Sequence, residues 1–201
     1  MNEKYHQILN RIEELEDELF DEIHRQKQRM GYEIENGKVV FQQKMVDAHK
    51  QLKTNVIPWL LNSKSKSLLS IPFIYALIIP LVMLDIFVTI YHFVGFSLYN
   101  IAKVKRKNYF VYDRHLLQYL NAIQKINCFY CSYANGVISY TREIASRTEQ
   151  YWCPIKHSQK ISHPHARYAN FVDYGEGEEY AEHAKKLRAT LKPQDENETA
   201  P

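Results

Sequence analysis

The chain has 201 residues, with 26 lysines and arginines against 23 aspartates and glutamates. Its net charge of +3 hides an asymmetry: residues 1–30 carry eight acids and five bases, residues 172–201 carry eight acids and four bases, and the middle, 31–171, has seventeen bases and seven acids. The length allows one small soluble domain or two helical subdomains beside a membrane segment. Three cysteines, an odd number, argue against a disulfide framework in a chain expected to face the cytoplasm.

Residues 3–30 read as one amphipathic helix. Ile8, Ile12, Leu15 and Leu19 recur at spacings of four, three and four, with Phe20 and Ile23 beside them. Glu13, Glu14, Glu16, Asp17, Glu18, Asp21 and Glu22 supply a solvated acidic face. The stripe is a short coiled-coil-like seam, so residues 5–23 are a candidate homodimer contact; packing on its own chain is the plainer alternative. The polar, acidic start does not read as a secretory signal. Residues 32–41 read as strand, with Asn36-Gly37 at the centre as a two-residue hairpin turn. Residues 42–61 return to helical spacing through Met45, Leu52, Val56 and Leu60, and Trp59 is suited to the headgroup level.

Residues 67–101 contain one carboxylate, Asp85, one histidine, His92, and no lysine or arginine. So long an apolar run predicts a membrane segment. As one helix its 35 residues would extend roughly 50 Å, against a hydrocarbon core of about 30 Å. Lys64 and Lys66 precede it, and Lys103, Lys105, Arg106 and Lys107 follow. Basic flanks at both ends favour a hairpin that enters and returns, with limbs at about 68–84 and 86–101, Asp85 near the tip and both soluble parts cytoplasmic. A single span with an interfacial continuation is the alternative, and a buried soluble helix pair is a third. Asp85 and His92, seven apart, share one helix face; a structural role for Asp85, capping backbone amides at a helix junction or at headgroup level, is preferred to a proton path.

The basic and aromatic stretch 104–115 fits an interfacial surface facing anionic headgroups better than a nucleic-acid groove. Asp113 is a reasonable N-cap for a helix running to about Ile126. Beyond it lie Cys128 and Cys131, a C-x-x-C pair, then Cys153 and His157. Three sulfurs and one imidazole match a closed tetrahedral zinc site, and thiolates suit iron equally. Helical periodicity through 137–152 opposes that tetrad, because a straight helix would hold Cys131 and Cys153 over 20 Å apart. One site would need a break, for which Asn135-Gly136 is the candidate, or ligands from two chains. A metal-free redox C-x-x-C and plain buried thiols are the other readings. His163 and His165 flank Pro164 and are further ligand candidates, while Glu143 and Arg147 at i, i+4 read as a surface ion pair. No H-E-x-x-H, P-loop, G-x-S-x-G or paired E-x-x-H set is present, so no catalytic class has a positive signal.

Ser70-Ile71-Pro72-Phe73-Ile74-Tyr75, Asp113-Arg114-His115 and the run N-C-x-x-C-x-Y-x-N-G from Asn127 to Gly136 carry a resemblance, as do A-x-R-T-E-Q-Y-W-C-P-I-K-H from Ala145 to His157 and Phe171-Val172-Asp173-Tyr174-Gly175. On these residues the chain resembles an uncharacterised family of small bacterial inner-membrane proteins over most of 55–180. The resemblance implies a bacterial inner-membrane context and little chemistry. C-x-x-C followed by C-P is also similar to rubredoxin knuckles, but Ser132 stands for the knuckle glycine and Lys156 for the fourth cysteine, so His157 would have to substitute.

The expected fold is mainly α: a helical membrane protein with a re-entrant or two-limbed apolar hairpin, one short β-hairpin and a cytoplasmic helical part. Its expected divisions are 1–61, N-terminal helices and hairpin; 62–107, membrane segment; 108–170, Cys/His region; and 171–201, a connector, a short helix and a disordered tail. The leading expectation is a membrane-embedded zinc or iron protein using Cys128, Cys131, Cys153 and His157, in a structural or redox role. A non-catalytic membrane scaffold is the alternative. An interfacial lipid- or quinone-handling enzyme, with Asp113, Arg114 and His115 near the headgroups, is the third. The expected partners are an anionic bilayer and a second copy of the chain, and no nucleic acid.

Overall fold

The computed structural model describes residues 3–29, 32–35, 38–41, 43–62 and 65–193. The protein is mainly helical, with seven α-helices among these residues: α1 (Glu3–Arg29), α2 (Gln43–Gln51), α3 (Val56–Leu61), α4 (Ser65–Ala76), α5 (Ile78–Leu98), α6 (Ala122–Trp152) and α7 (Tyr180–Ala189). β1 (Tyr32–Glu35) and β2 (Lys38–Phe41) pair antiparallel, Tyr32 opposite Phe41 and Glu35 opposite Lys38. The Asn36-Gly37 turn and the disordered tail expected from sequence lie outside the described residues, the tail from residue 194 on.

Two compact units form, each discontinuous in sequence: Met1–Asn62 with Asp113–Cys128, and Ser63–Tyr112 with Phe129–Pro201. In the first, Phe41, His49 and Tyr119 meet edge to face, with ring centroids 5.6 and 5.2 Å apart. Asp113 begins only a 3-10 turn, Arg114–Leu116. The helix expected to start there instead starts at Ala122, because Asn121 completes a capping box. Its Oδ1 accepts from Gln124 N–H at 3.0 Å while its own N–H donates to Gln124 Oε1 at 2.9 Å.

In the second unit the apolar stretch runs as α4 and α5 through a turn at Leu77, and Leu68–Leu98 is long and apolar enough to cross a membrane. The expected two-limbed hairpin with Asp85 at its tip does not form. No breaker stands at 84–86, and Asp85 lies inside α5. The irregularity falls at Ala76–Leu77 because Pro80 has no N–H to return to Ala76, four residues before it, and its ring crowds that carbonyl. Pro80 is itself in the first turn of α5, where a missing donor is tolerated.

α5 ends in a Schellman motif. Asn100 adopts a left-handed conformation, φ 52°, Ile101 N–H reaches back to Phe96 C=O at 2.8 Å and Asn100 N–H to Ser97 C=O at 3.4 Å. Phe96 and Ile101 are buried together with Val104, Tyr140, Ile144 and Leu191. The chain then doubles back along α5 as far as Tyr112. α6 is unbroken through Asn135 and Gly136. Glycine is required at 136 because the Phe110 ring lies against the helix there, so that an added Cβ would sit 2.7 Å from it. After α6, Ile155 and Val172 form an isolated parallel bridge. α7 packs back through Gln150, whose amide donates to Leu187 C=O at 2.7 Å, and through Arg188, which donates to Tyr151 C=O at 2.6 Å.

Candidate functional site: an apolar face above a polar seam

α4 and α5 have two faces of opposite character. Outward, sixteen large apolar side chains between Leu68 and Leu98 are exposed, among them Phe73, Ile79, Phe87, Ile90, Phe93 and Leu98. Contiguous apolar surface on this scale marks a membrane or partner contact. Inward, a stripe at helical spacing through Ser70, Tyr75, Ile78, Leu81, Asp85, Val88, His92 and Phe96 is covered or half-covered. The ionisable groups of the apolar stretch lie on this inner stripe.

The inner stripe is a seam of satisfied polar contacts. Arg106 grips Asp85 as a fork, Nη1 to Oδ1 at 2.5 Å and Nη2 to Oδ2 at 2.7 Å. Such bidentate charge-assisted pairs are the strong class of hydrogen bond. Tyr133 donates to Asp85 Oδ2 at 3.0 Å, and the Arg106 guanidinium lies 4.0 Å from the Phe110 ring centre. Two turns along α5, Val104 N–H donates to His92 Nε2 at 2.9 Å. Nε2 therefore carries no proton, and Nδ1–H of the neutral ring donates to Tyr140 Oη at 2.9 Å. Tyr91 pairs with Thr148 at 2.9 Å, and Tyr130 donates to Ile74 C=O at 2.7 Å. Contacts that advance together from Ile74 with Tyr130 to Tyr99 with Trp152 make α6 run parallel to the apolar helix. Burial, then the bond to Asp85, pushes the Tyr133 phenol up to about 12.

Further along α6, Glu143 accepts from Arg147 Nε at 2.7 Å and Arg167 Nη2 at 3.0 Å, while Arg147 Nη1 also donates to Ala102 C=O at 2.6 Å. The sequence pattern found the first of these contacts but not Arg167, which arrives from a 3-10 turn after the helix. Burial alone would raise the Glu143 carboxyl; the two guanidiniums outweigh it and hold Glu143 below its ordinary range. His165 Nε2 faces Glu149 Oε2 at 2.9 Å.

The expected metal centre is not assembled. Among the described residues no three His, Cys, Asp or Glu side chains come close enough to hold one ion. The reason is α6 itself: unbroken, it leaves Cys131 before the helix middle and Cys153 just past its end, about 33 Å apart at helical rise. Cys131 and Cys153 are exposed and Cys128 is half-buried. The His157 backbone N–H donates to Tyr168 Oη at 2.6 Å, and the His157 ring is stacked on Tyr168. The zinc or iron reading of Cys128, Cys131, Cys153 and His157 is therefore withdrawn. Arg114 and His115 fall in the 3-10 turn of the first unit, and Asp113 immediately precedes it. The sequence also offered no sign of Arg106 and Tyr133 as partners of Asp85; the shared face of Asp85 and His92 was legible, but what lay against it was not.

No family model, curated protein or solved structure matches this chain.

Proposed function

We propose that this protein is a non-catalytic, membrane-attached scaffold, its anchor the outward face of α4 and α5 and its recruiting element α1. The observation that carries the reading is the division of the apolar helix, polar groups turned into a satisfied seam and apolar ones turned out. Each large side chain moved from water into lipid contributes about 1.5–3 kcal/mol, so the outward face suffices as an anchor without help. The seam holds its groups in mutual pairs, which fits a rigid support better than a reaction centre.

α1 exposes Ile8, Ile12, Leu15, Leu19 and Ile23, and the partner its chemistry fits is a second copy of itself. In a parallel pair, Ile12 and Leu19 fall at a positions, Ile8 and Leu15 at d positions, and Arg11 of one copy stands opposite Glu16 of the other. Glu22 takes the next core position and limits the seam to about two heptads. The setting we propose is the bacterial inner membrane with the soluble parts cytoplasmic, on the basic flanks of the apolar run.

The reading is tested by expressing the full chain and fractionating the cells. The protein is expected in the membrane fraction, released by detergent but not by high salt. Removal of residues 3–29 should leave it there while converting a dimer to a monomer. Recovery of the intact protein in the soluble fraction would overturn the anchor.

A further inference from the structure

We infer that the apolar helix does not cross the bilayer but lies in one leaflet, and that Lys103, Lys105 and Lys107 bind anionic lipid phosphates beside it. This rests on the membrane-anchor reading and adds how the anchor sits and which lipid it prefers.

The seam opposes a crossing. A crossing helix presents its flanks to lipid or to other apolar helices, and charges at its depth are costly. Here the returning segment lays Arg106 against Asp85, near the middle of Leu68–Leu98, and α6 follows from Ile74 to Tyr99 bringing Arg142, Glu143, Arg147 and Glu149 with it. One flank of the helix is thus covered by protein that carries charged groups, while the other is apolar and bare. That is the cross-section of an element submerged on one side only.

The returning segment also sets the lipid preference. Val104 is buried and Arg106 turns in to Asp85, whereas Lys103, Lys105 and Lys107 are exposed. The Lys103 ammonium lies 4.3 Å from the centre of the Phe93 ring, which belongs to the bare apolar face. A helix lying in the leaflet with Phe93 in the acyl region therefore holds these three ammonium groups at headgroup level, their stems along apolar surface. Each lysine near an anionic surface contributes a several-fold gain in binding, so three together amount to on the order of a hundredfold.

The experiment uses the purified full chain in two parts. Binding is measured to vesicles of phosphatidylcholine alone and of phosphatidylcholine with phosphatidylglycerol. Wild type should favour the anionic vesicles, and the triple variant Lys103→Glu, Lys105→Glu, Lys107→Glu should lose that preference by on the order of a hundredfold while keeping its binding to phosphatidylcholine and its helical circular dichroism. Equal binding of wild type and variant to anionic vesicles would overturn the lipid preference. Topology is read with a membrane-impermeant maleimide on vesicles of known orientation, comparing native Cys153 alone with Leu52→Cys alone in a chain whose other cysteines are serine. Both should label from the same side; labelling from opposite sides would show a crossing and overturn the inference while leaving the anchor intact. Failure of wild type to bind either vesicle would remove the anchor reading itself.

Discussion

α1 and α5 both show exposed apolar side chains, and the difference between them separates two kinds of contact. On α1 the stripe is narrow, Ile8, Ile12, Leu15 and Leu19, and acids close in on it from both sides. Such a stripe matches one more helix and is too hemmed by charge for hydrocarbon. On α5 the bare face is broad and no charge interrupts it; the one carboxylate is on the seam side, gripped by Arg106. The width of the apolar face and the whereabouts of its nearest charges, rather than the number of apolar residues, are what separate the proposed dimer contact from the proposed lipid one.

The largest expected effect tests the lipid side of that contrast. Changing Phe87 and Ile90 together to glutamate puts two charges on the bare face and removes two large apolar groups. At about 1.5–3 kcal/mol for each lost side chain, membrane partition should fall by at least a hundredfold, with dimerisation through α1 unaltered. Retention in the membrane fraction would mean that another surface holds the protein.

Next in size is the pair beneath that face. Asp85→Asn leaves Arg106 without its carboxylate and should cost about 2 kcal/mol of stability, the usual worth of hydrogen bonds to a charged group. A double-mutant cycle with Arg106→Gln should show coupling of similar size, read from denaturant unfolding in detergent. Coupling near zero would make the fork an ornament of the seam. On the protein-partner side, Leu15→Asp places a charge in the α1 stripe and should weaken self-association at least tenfold by removing a core contact of the seam, measured by sedimentation. Membrane partition should not move. Loss of both together would erase the distinction between the two helices.

How far the sequence anticipates this arrangement follows from which signals are local. The α1 stripe, the helical spacing after Val137 and the length of the apolar run are periodicities, visible wherever the contacts repeat along one element. The cap of α6 is equally local, yet Asp113 competes with Asn121 for it in the sequence, because an aspartate before a run of apolar positions satisfies the same pattern without the reciprocal glutamine three residues on. The seam is not local. Asp85 meets Arg106 and Tyr133 only because Asn100 turns the chain back along α5, and one left-handed residue is a weak mark in a sequence. The metal expectation failed for a related reason: C-x-x-C and C-P-x-x-H are spacings within two short stretches, and the rigid helix between them decides that they never meet. Asn135-Gly136 looked like the break that could fold them together, but the glycine is there for the Phe110 ring.

The smallest effect is the dependence of stability on pH, and its sign differs at the two ends of the scale. Glu143 is held below its ordinary value of 4.5, with burial opposing and Arg147 and Arg167 prevailing. Its contribution is therefore complete above that value and is lost as pH falls below it, through the lowered value of the folded state. Tyr133 is the reverse case. Its phenol is raised from 10.0 to about 12 by burial and then by Asp85, so its contribution is complete below 10.0 and disappears as pH climbs towards 12. Thermal unfolding should fall away on the acid side in wild type and fall less steeply in Glu143→Gln, which no longer has that proton to take up. On the alkaline side Tyr133→Phe should flatten the loss in the same manner, while dimerisation through α1 stays indifferent to either substitution. An acid limb identical in wild type and Glu143→Gln would place the titrating group elsewhere, and would detach the Glu143 cluster from whatever holds α6 beneath the apolar face.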